Sequence, residues 1–322
     1  MSQSFTFIPE ERFTQTIVQL EQELWKQCHH GQFQGVDGNP IHYEYWTCPH
    51  PKGSVVVVHG MSEFTKKYYE LTHYLLAAGY HVFLYDQRGH GLSHRDTDRP
   101  ELLHINSFDQ LVSDLDCYLE QVVCRTANLP LYLYAHSMGG AVGALYLSEH
   151  PDRFQKAVLT SPLIAPRMND LPALPFLIGV TVRKALVGDL KKFRLSREYV
   201  PHKPYVPDPG DSPARILRCL WHRDRERRYQ STPMTLGCVY HSLRLPKRML
   251  KGDVAAAIRT PTLMLCADRD AMVKLKPQAQ FAAQCPSMTR EVLSNSNHNL
   301  LTDRQPILEQ TVLRVLDFYR AD

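Results

Sequence analysis

No run in this chain approaches the roughly 20 consecutive apolar residues that a helix needs to cross a bilayer. Its longest charge-free apolar stretch, between Asp170 and Arg183, is broken by two prolines and a glycine. No C-x-x-C pair occurs among the eight cysteines, which are scattered at 28, 48, 117, 124, 219, 238, 266 and 285. Neither a zinc site nor a dense disulfide framework is therefore expected, and a reducing compartment is the simpler reading. Met1-Ser2-Gln3-Ser4-Phe5-Thr6 lacks the basic and apolar regions of a secretory signal, so a cytoplasmic location is expected. The 16 glycines follow no repeat, which excludes collagen, and the 22 prolines exclude a coiled coil. What is present is a chain of 322 residues, 43% hydrophobic and only 22% charged. That composition is not a disordered one, and the length buries a large core without staples.

Net charge is only +4, but it is unevenly spread. Residues 163–252 hold 18 of the 37 basic and 7 of the 33 acidic residues, a local balance of +11 that leaves −7 elsewhere. The same segment contains 10 of the 22 prolines. An acidic body is thus interrupted by a basic, proline-rich insert, either an ordinary solvated surface or a face suited to an anionic one.

Short β-rich apolar runs fall at 54–58, 81–85, 131–135, 156–160 and 262–266, with a weaker one at 289–294. Near-continuous apolarity is the mark of strands buried on both faces of a parallel sheet. Helices are expected between and after them at about 66–78, 107–124, 138–149, 275–284 and 305–320, as parallel strands require. Residues 32–47 read as an antiparallel hairpin. Residues 10–28, with Phe13, Ile17, Leu20, Leu24 and Trp25 on one face, read as an amphipathic helix lying on the domain. The alternation stops after Ser161-Pro162 and resumes near Ile258. The chain divides accordingly into a core of 1–162 and 253–322 and a cap of 163–252. The cap should lie over the carboxyl ends of the strands, where open α/β sheets place their sites.

Ala135-His136-Ser137-Met138-Gly139-Gly140 follows a strand and precedes an Ala/Leu-rich helix. This is the setting of the G-x-S-x-G nucleophile elbow, with Ala135 in place of the first glycine. A serine nucleophile needs a histidine base oriented by a carboxylate, following it in the order serine, acid, histidine. Asp270, four residues beyond the strand at 262–266, is the better-placed acid. Asp268, nearer the strand end, is the competing candidate and suits a turn or cap. His298, in the polar loop before the last helix, suits the base. The two N–H groups of an oxyanion hole are expected from Met138 and from the loop His59-Gly60-Met61-Ser62-Glu63, with Met61 the better candidate there. His59 and His136 flank this chemistry and are expected to hold loops in place.

Taken together, that loop, Asp86-Gln87-Arg88-Gly89-His90-Gly91-Leu92-Ser93, the Ser137 elbow, Asp270 and His298 resemble the α/β-hydrolase group of monoacylglycerol lipases and bacterial lysophospholipases. The resemblance spans nearly the whole chain. The leading helix, the Gly35-Val36-Asp37 turn and the long basic cap look most like the bacterial inner-membrane lysophospholipase branch. It implies an α/β-hydrolase fold with a cap after the fourth parallel strand, and Ser137, Asp270 and His298 as nucleophile, acid and base. It also implies no metal and no organic cofactor. The expected activity is hydrolysis of the single acyl ester of a lysophospholipid. A monoacylglycerol lipase or general carboxylesterase is the alternative, and a non-catalytic binding protein on the same fold a weaker one.

Two expectations concern the cap. Leu171–Val182 is too short to span a bilayer, and Leu174, Phe176 and Ile178 within it are expected to border an acyl tunnel and touch lipid. The clusters Lys191, Lys192, Arg194, Arg197 and Arg223, Arg225, Arg227, Arg228 are expected to dock the protein peripherally on an anionic membrane, on its inner face. Nucleic-acid binding is the weaker explanation, because the clusters belong to the cap of a lipase-like site.

Overall fold

The structure, a computed structural model, describes residues 6–167 and 173–321. Leu171 and Pro172 of the cap segment lie outside the described residues. An eight-stranded sheet runs β1 (His29–Gln34), β2 (Pro40–Trp46), β4 (Tyr80–Tyr85), β3 (Gly53–Val58), β5 (Leu131–His136), β6 (Lys156–Thr160), β7 (Thr262–Ala267) and β8 (Met288–Leu293) in spatial order. The β1–β2 hairpin is antiparallel and pairs antiparallel with β4, while β4 through β8 are parallel. The apolar runs expected to be strands are strands, to within a residue at either end.

Strands that alternate their side chains between two faces feed two cores. Val56 and Val58 of β3 face one core, built with α3 (Phe108–Tyr118) and α5 (Met138–Glu149). Val55 and Val57 face the other, built with α1 (Glu10–Gln27), α2 (Tyr69–Ala77) and α11 (Gln305–Arg320). α3 continues through a π-helical turn (Leu119–Val123) into the short α4 (Cys124–Thr126). β8 gave the weakest signal because it is the edge strand, and its Met288–Val292 stretch is only partly covered. All eight cysteines are free thiols.

One helix face departs from its pattern. α1 buries Phe13, Ile17, Leu20 and Leu24 as expected, but the fifth buried residue is Glu21 and not Trp25, which stays 42% exposed. Glu21 is taken inward by Arg218 (2.9 Å) and His222 (3.0 Å).

Between β6, the fourth parallel strand, and β7 lie α6 (Ala173–Val187), α7 (Pro213–Arg225) and α8 (Leu236–Met249), with α9 (Asp253–Ala257) leading back to the sheet. α10 (Leu275–Ala283) links β7 to β8. The basic insert meets the acidic body directly. Buried Arg215 of α7 holds Glu70 with two hydrogen bonds (2.9 and 2.7 Å) and also pairs with Glu10. Removing one partner of such a buried pair costs about 3–5 kcal/mol, because the other charge is left unpaired. α8 is fastened by Leu245 and Met249 in the core, and its leading strand-like segment by Thr235 N–H to Leu103 O (2.9 Å). α6 rests on a small cluster of Val180, Leu236 and Val239 with Phe176 and Phe193 at its margin.

In the second basic cluster, acids take up two of the four arginines. Arg227 pairs with Glu101 (3.3 Å) and Arg228 with Glu226 (2.8 Å). Arg223 lies over the Tyr199 ring (4.4 Å) and donates to Tyr229 O (3.2 Å). Among the described residues neither Arg223 nor Arg225 has a carboxylate partner. A count of charges cannot see that Arg227 is matched by Glu101 of the body.

Candidate active site

Ser137 ends β5 and starts α5 with φ 53° and ψ −114°, a conformation that non-glycine residues adopt only under restraint. The restraint is visible. Ser137 N–H donates to Thr160 O (3.0 Å), and Leu163 N–H donates to Ser137 O (2.8 Å). α5 passes so close to β3 that a Cβ at Gly139 would stand 2.2 Å from Val58 O. Glycine is therefore required two residues after the serine. The alanine two residues before it is accommodated by Gly143, where a Cβ would fall 3.1 Å from Ala135 Cβ and 3.0 Å from Leu133 Cδ2. One small residue has moved from the strand to the facing helix.

Strand register places Val58 beside Ala135, so the loops leaving β3 and β5 emerge together, and β7 and β8 deliver theirs nearby. His298 Nε2 lies 2.9 Å from Ser137 Oγ, and its Nδ1 lies 2.7 Å from Asp270 Oδ2. Asp270 is buried, and its other oxygen accepts from Met272 and Val273 N–H (both 2.8 Å), which fixes the carboxylate's orientation. With Nδ1–H donated to Asp270, Nε2 is left to accept the serine proton. Asp268 points elsewhere. It is exposed and accepts from Asn295 (2.8 Å) and Ser296 (2.9 Å) N–H, stapling β7 to the loop that carries His298.

Met138 is the first residue of α5, where N–H groups have no intrahelical acceptor and the helix dipole favours negative charge. In the loop after β3, Gly60 N–H is already committed to Glu63 Oε2 (2.6 Å), which leaves Met61 as the following donor. His59 fixes this loop. Its Nδ1–H donates to Gly60 O (2.7 Å) and its Nε2 accepts from Gln87 N–H (2.9 Å). Burial lowers its pKa despite the opposing charge of Asp86. His136 is pushed down to about 3 by burial, against the pull of Glu63. It stays neutral, its ring 5.1 Å from that of His298.

Nothing in the His59–Glu63 motif gives Glu63 a role, and its place becomes evident only in three dimensions. One oxygen accepts from Gly60 N–H and Tyr68 O–H (both 2.6 Å); the other accepts from Asn299 Nδ2 (2.9 Å) and Lys67. Burial alone would raise its pKa. The charge of Lys67 and hydrogen bonds from Lys67 and Tyr68 outweigh that and hold the carboxyl well below the usual range. Asn297, on the other side of His298, donates to Asp211 Oδ1 (3.0 Å) and Pro209 O (3.2 Å) of the inserted segment.

The Asp86–Ser93 motif is scaffolding. Asp86 accepts from Thr65 and Leu92 N–H (both 2.8 Å), and buried Arg88 is held in paired hydrogen bonds by Asp114 (both 2.9 Å) and Asp37 (both 2.8 Å). Leu174, Phe176 and Ile178 are separated by helix geometry. Phe176 turns inward, edge-on to Phe193 (5.9 Å), beside a small apolar cavity of about 320 Å³. Leu174 and Ile178 are 68% and 55% exposed on the opposite face, turned away from that cavity. No group of three or more His, Cys, Asp or Glu placed to hold a metal occurs among the described residues.

A mostly parallel sheet with a strained serine at a strand–helix turn, joined to a histidine and a buried aspartate, defines a serine hydrolase of the α/β-hydrolase class. Residues 49–305 match the family described as serine aminopeptidase, S33, and the chain belongs to that family. It is 26% identical to lysophospholipase L2 of Escherichia coli K12 over 92% of this chain and 89% of that one. It is 28% identical to a monoacylglycerol lipase of Mycolicibacterium smegmatis, over 75% of this chain and 79% of that one. A soluble variant of the Saccharomyces cerevisiae monoglyceride lipase, solved with a substrate analog, superposes with a TM-score of 0.72 at 16% identity, covering 90% and 94% of the two chains.

The small-residue exchange at the elbow is testable by a double-mutant cycle. Gly143→Ala should cost about 1–3 kcal/mol in denaturant unfolding, the usual penalty of overpacking. Ala135→Gly in the same chain should recover a large part of it. Additive effects of the two changes would show that the two positions do not share this space.

Proposed function

We propose that this protein is a lysophospholipase, releasing the one acyl chain of a lysophospholipid as a free fatty acid. The observation that carries the chemistry is the unbroken chain from Asp270 through His298 to Ser137, at 2.7 and 2.9 Å. Likeness to lysophospholipase L2 along 92% of the chain supports the substrate class. Ser137 Oγ attacks the ester carbonyl as His298 Nε2 takes its proton, and the resulting imidazolium is stabilised by Asp270. The tetrahedral oxyanion is received by the N–H groups of Met61 and Met138. Collapse expels the glycerophospho-alcohol, which His298 protonates. Water, activated by the same histidine, then cleaves the acyl-enzyme and restores Ser137. Likeness to the mycobacterial enzyme supports a second reading, monoacylglycerol hydrolysis by the same steps.

The substrate lies in a membrane, and α6 is built to meet one. No helix among the described residues is long and apolar enough to cross a bilayer. Leu174, Ile178, Val182 and Leu186 repeat every fourth residue and are 68%, 55%, 53% and 79% exposed, an apolar stripe along one face. Arg183, Lys191, Arg194 and Arg197 stand exposed beside it, none of them ion-paired among the described residues. Four basic groups at an anionic surface are worth roughly 4 kcal/mol at low salt, with the stripe adding apolar contact. The segment 163–252 is accordingly read as a cap that holds the enzyme peripherally on the inner face of the membrane.

Ser137→Ala and His298→Ala should each lower kcat by ~10³-fold or more on a panel of lysophospholipid, monoacylglycerol and short p-nitrophenyl esters. Asp270→Asn should be severe and Asp268→Asn mild; the reverse order would overturn the choice of acid. On wild-type protein, higher kcat/KM for monoacylglycerol than for lysophospholipid would favour the second reading.

Docking is tested separately by co-sedimentation with anionic and zwitterionic vesicles. Replacing Ile178 and Leu186 by serine, or Lys191, Arg194 and Arg197 by glutamate, should each release the protein from anionic vesicles. Binding indifferent to salt and to these changes would refute docking through α6.

A further inference from the structure

Trp25, expected in the core, instead opens onto a groove of about 750 Å³ between α1 and α7. Trp221 of α7 stands on the other wall, 40% exposed, with Val18, Leu92 and Tyr229 completing an apolar lining. The third tryptophan, Trp46, is fully buried. Leaving two tryptophans half in water forgoes the stabilisation of burying them, at about 25 cal/mol per Å², and an exposed apolar surface of this kind marks a binding site.

The groove is also electrostatically one-sided. Its two acids are consumed: Glu21 by Arg218 and His222, and Glu226 by Arg228 (2.8 Å). Two of its cations are not. Lys66 Nζ rests 4.4 Å from the Trp25 ring centre and the Arg225 guanidinium 3.9 Å from that of Trp221, and neither has a carboxylate partner among the described residues. Stacking on the rings holds both cations in place at the groove. Apolar aromatic walls with two prepositioned, uncompensated positive charges suit an apolar chain that ends in a negative group.

We propose that this groove is a second, non-catalytic site that binds a long-chain fatty-acid carboxylate, with Lys66 and Arg225 holding the head and Val18, Trp25 and Trp221 the chain. None of its lining residues hydrogen-bonds to Ser137, His298 or Asp270. The naming of a carboxylate as occupant rests on the reading of the enzyme as one that releases it; the groove and its chemistry do not. Because α1 belongs to the body and α7 to the insert, an occupant would bridge the two.

The test is direct binding to Ser137→Ala protein, in which nothing is turned over. Trp46 is buried away from the groove, so a ligand-induced change in intrinsic fluorescence reports chiefly on Trp25 and Trp221. Oleate below its micelle concentration should change the emission saturably and give a matching calorimetric isotherm. Lys66→Gln with Arg225→Glu should weaken binding at least tenfold, and Trp221→Ala should weaken it comparably; circular dichroism establishes that the variants are folded. Oleyl alcohol should bind at least tenfold more weakly than oleate. Oleate affinity unchanged in these variants, or equal affinity for the alcohol, would overturn the site. Tighter binding of dodecyl phosphate than of oleate would overturn the carboxylate as its occupant. A wild-type enzyme inactive on acyl esters whose Ser137→Ala form still bound oleate in the groove would contradict the proposed hydrolysis and not this site.

Discussion

One buried carboxylate ties the reactive loops to each other. Glu63 is almost fully buried, and a bare charge there would be costly, so it must be matched on every side. Its partners come from three places: Gly60 in the loop expected to supply an oxyanion donor, Lys67 and Tyr68 in the following turn, and Asn299 next to His298. His136, next to Ser137, lies within 3.7 Å of the same carboxylate. A single ionised group thus sets the spacing of the loop after β3, Ser137 and His298. Satisfying Glu63 and assembling the site are one packing problem.

The elbow supplies the complementary constraint. A positive φ at Ser137 lifts its side chain above the sheet, and the close approach of α5 to β3 keeps it there. The inserted segment reaches the same region from above through Asn297 and Asp211, while Arg215 and Arg218 anchor α7 to the body. The insert is therefore firmly seated along α7 and only lightly supported along α6, whose apolar stripe stays open to whatever the enzyme meets.

Much of this was legible in the sequence because it obeys a period or a chain order. Doubly covered strands are apolar throughout, so the sheet announced itself, and the order of Ser137, Asp270 and His298 follows from fold and chemistry together. What was hidden depends on contacts between distant residues. Glu63 looks like any surface acid until Asn299, 236 residues away, is seen to hydrogen-bond it. Gly143 compensates Ala135 across a helix–strand contact that no motif records. Trp25 fits the apolar stripe of α1, yet Glu21 takes the inward place because Arg218 and His222 wait there. The second basic cluster was half hidden for the same reason: composition counts charges, and only the fold pairs Arg227 with Glu101 and Arg228 with Glu226.

The most direct test of this arrangement is the reactivity of Ser137 when Glu63 is replaced by glutamine, a change of nearly identical shape that removes the charge. Reaction with a fluorophosphonate and kcat on a short, soluble ester should both fall by about tenfold or more, with KM little changed and the protein still folded. A Glu63→Gln enzyme that labelled and turned over at wild-type rates would contradict the claim that this carboxylate positions the site.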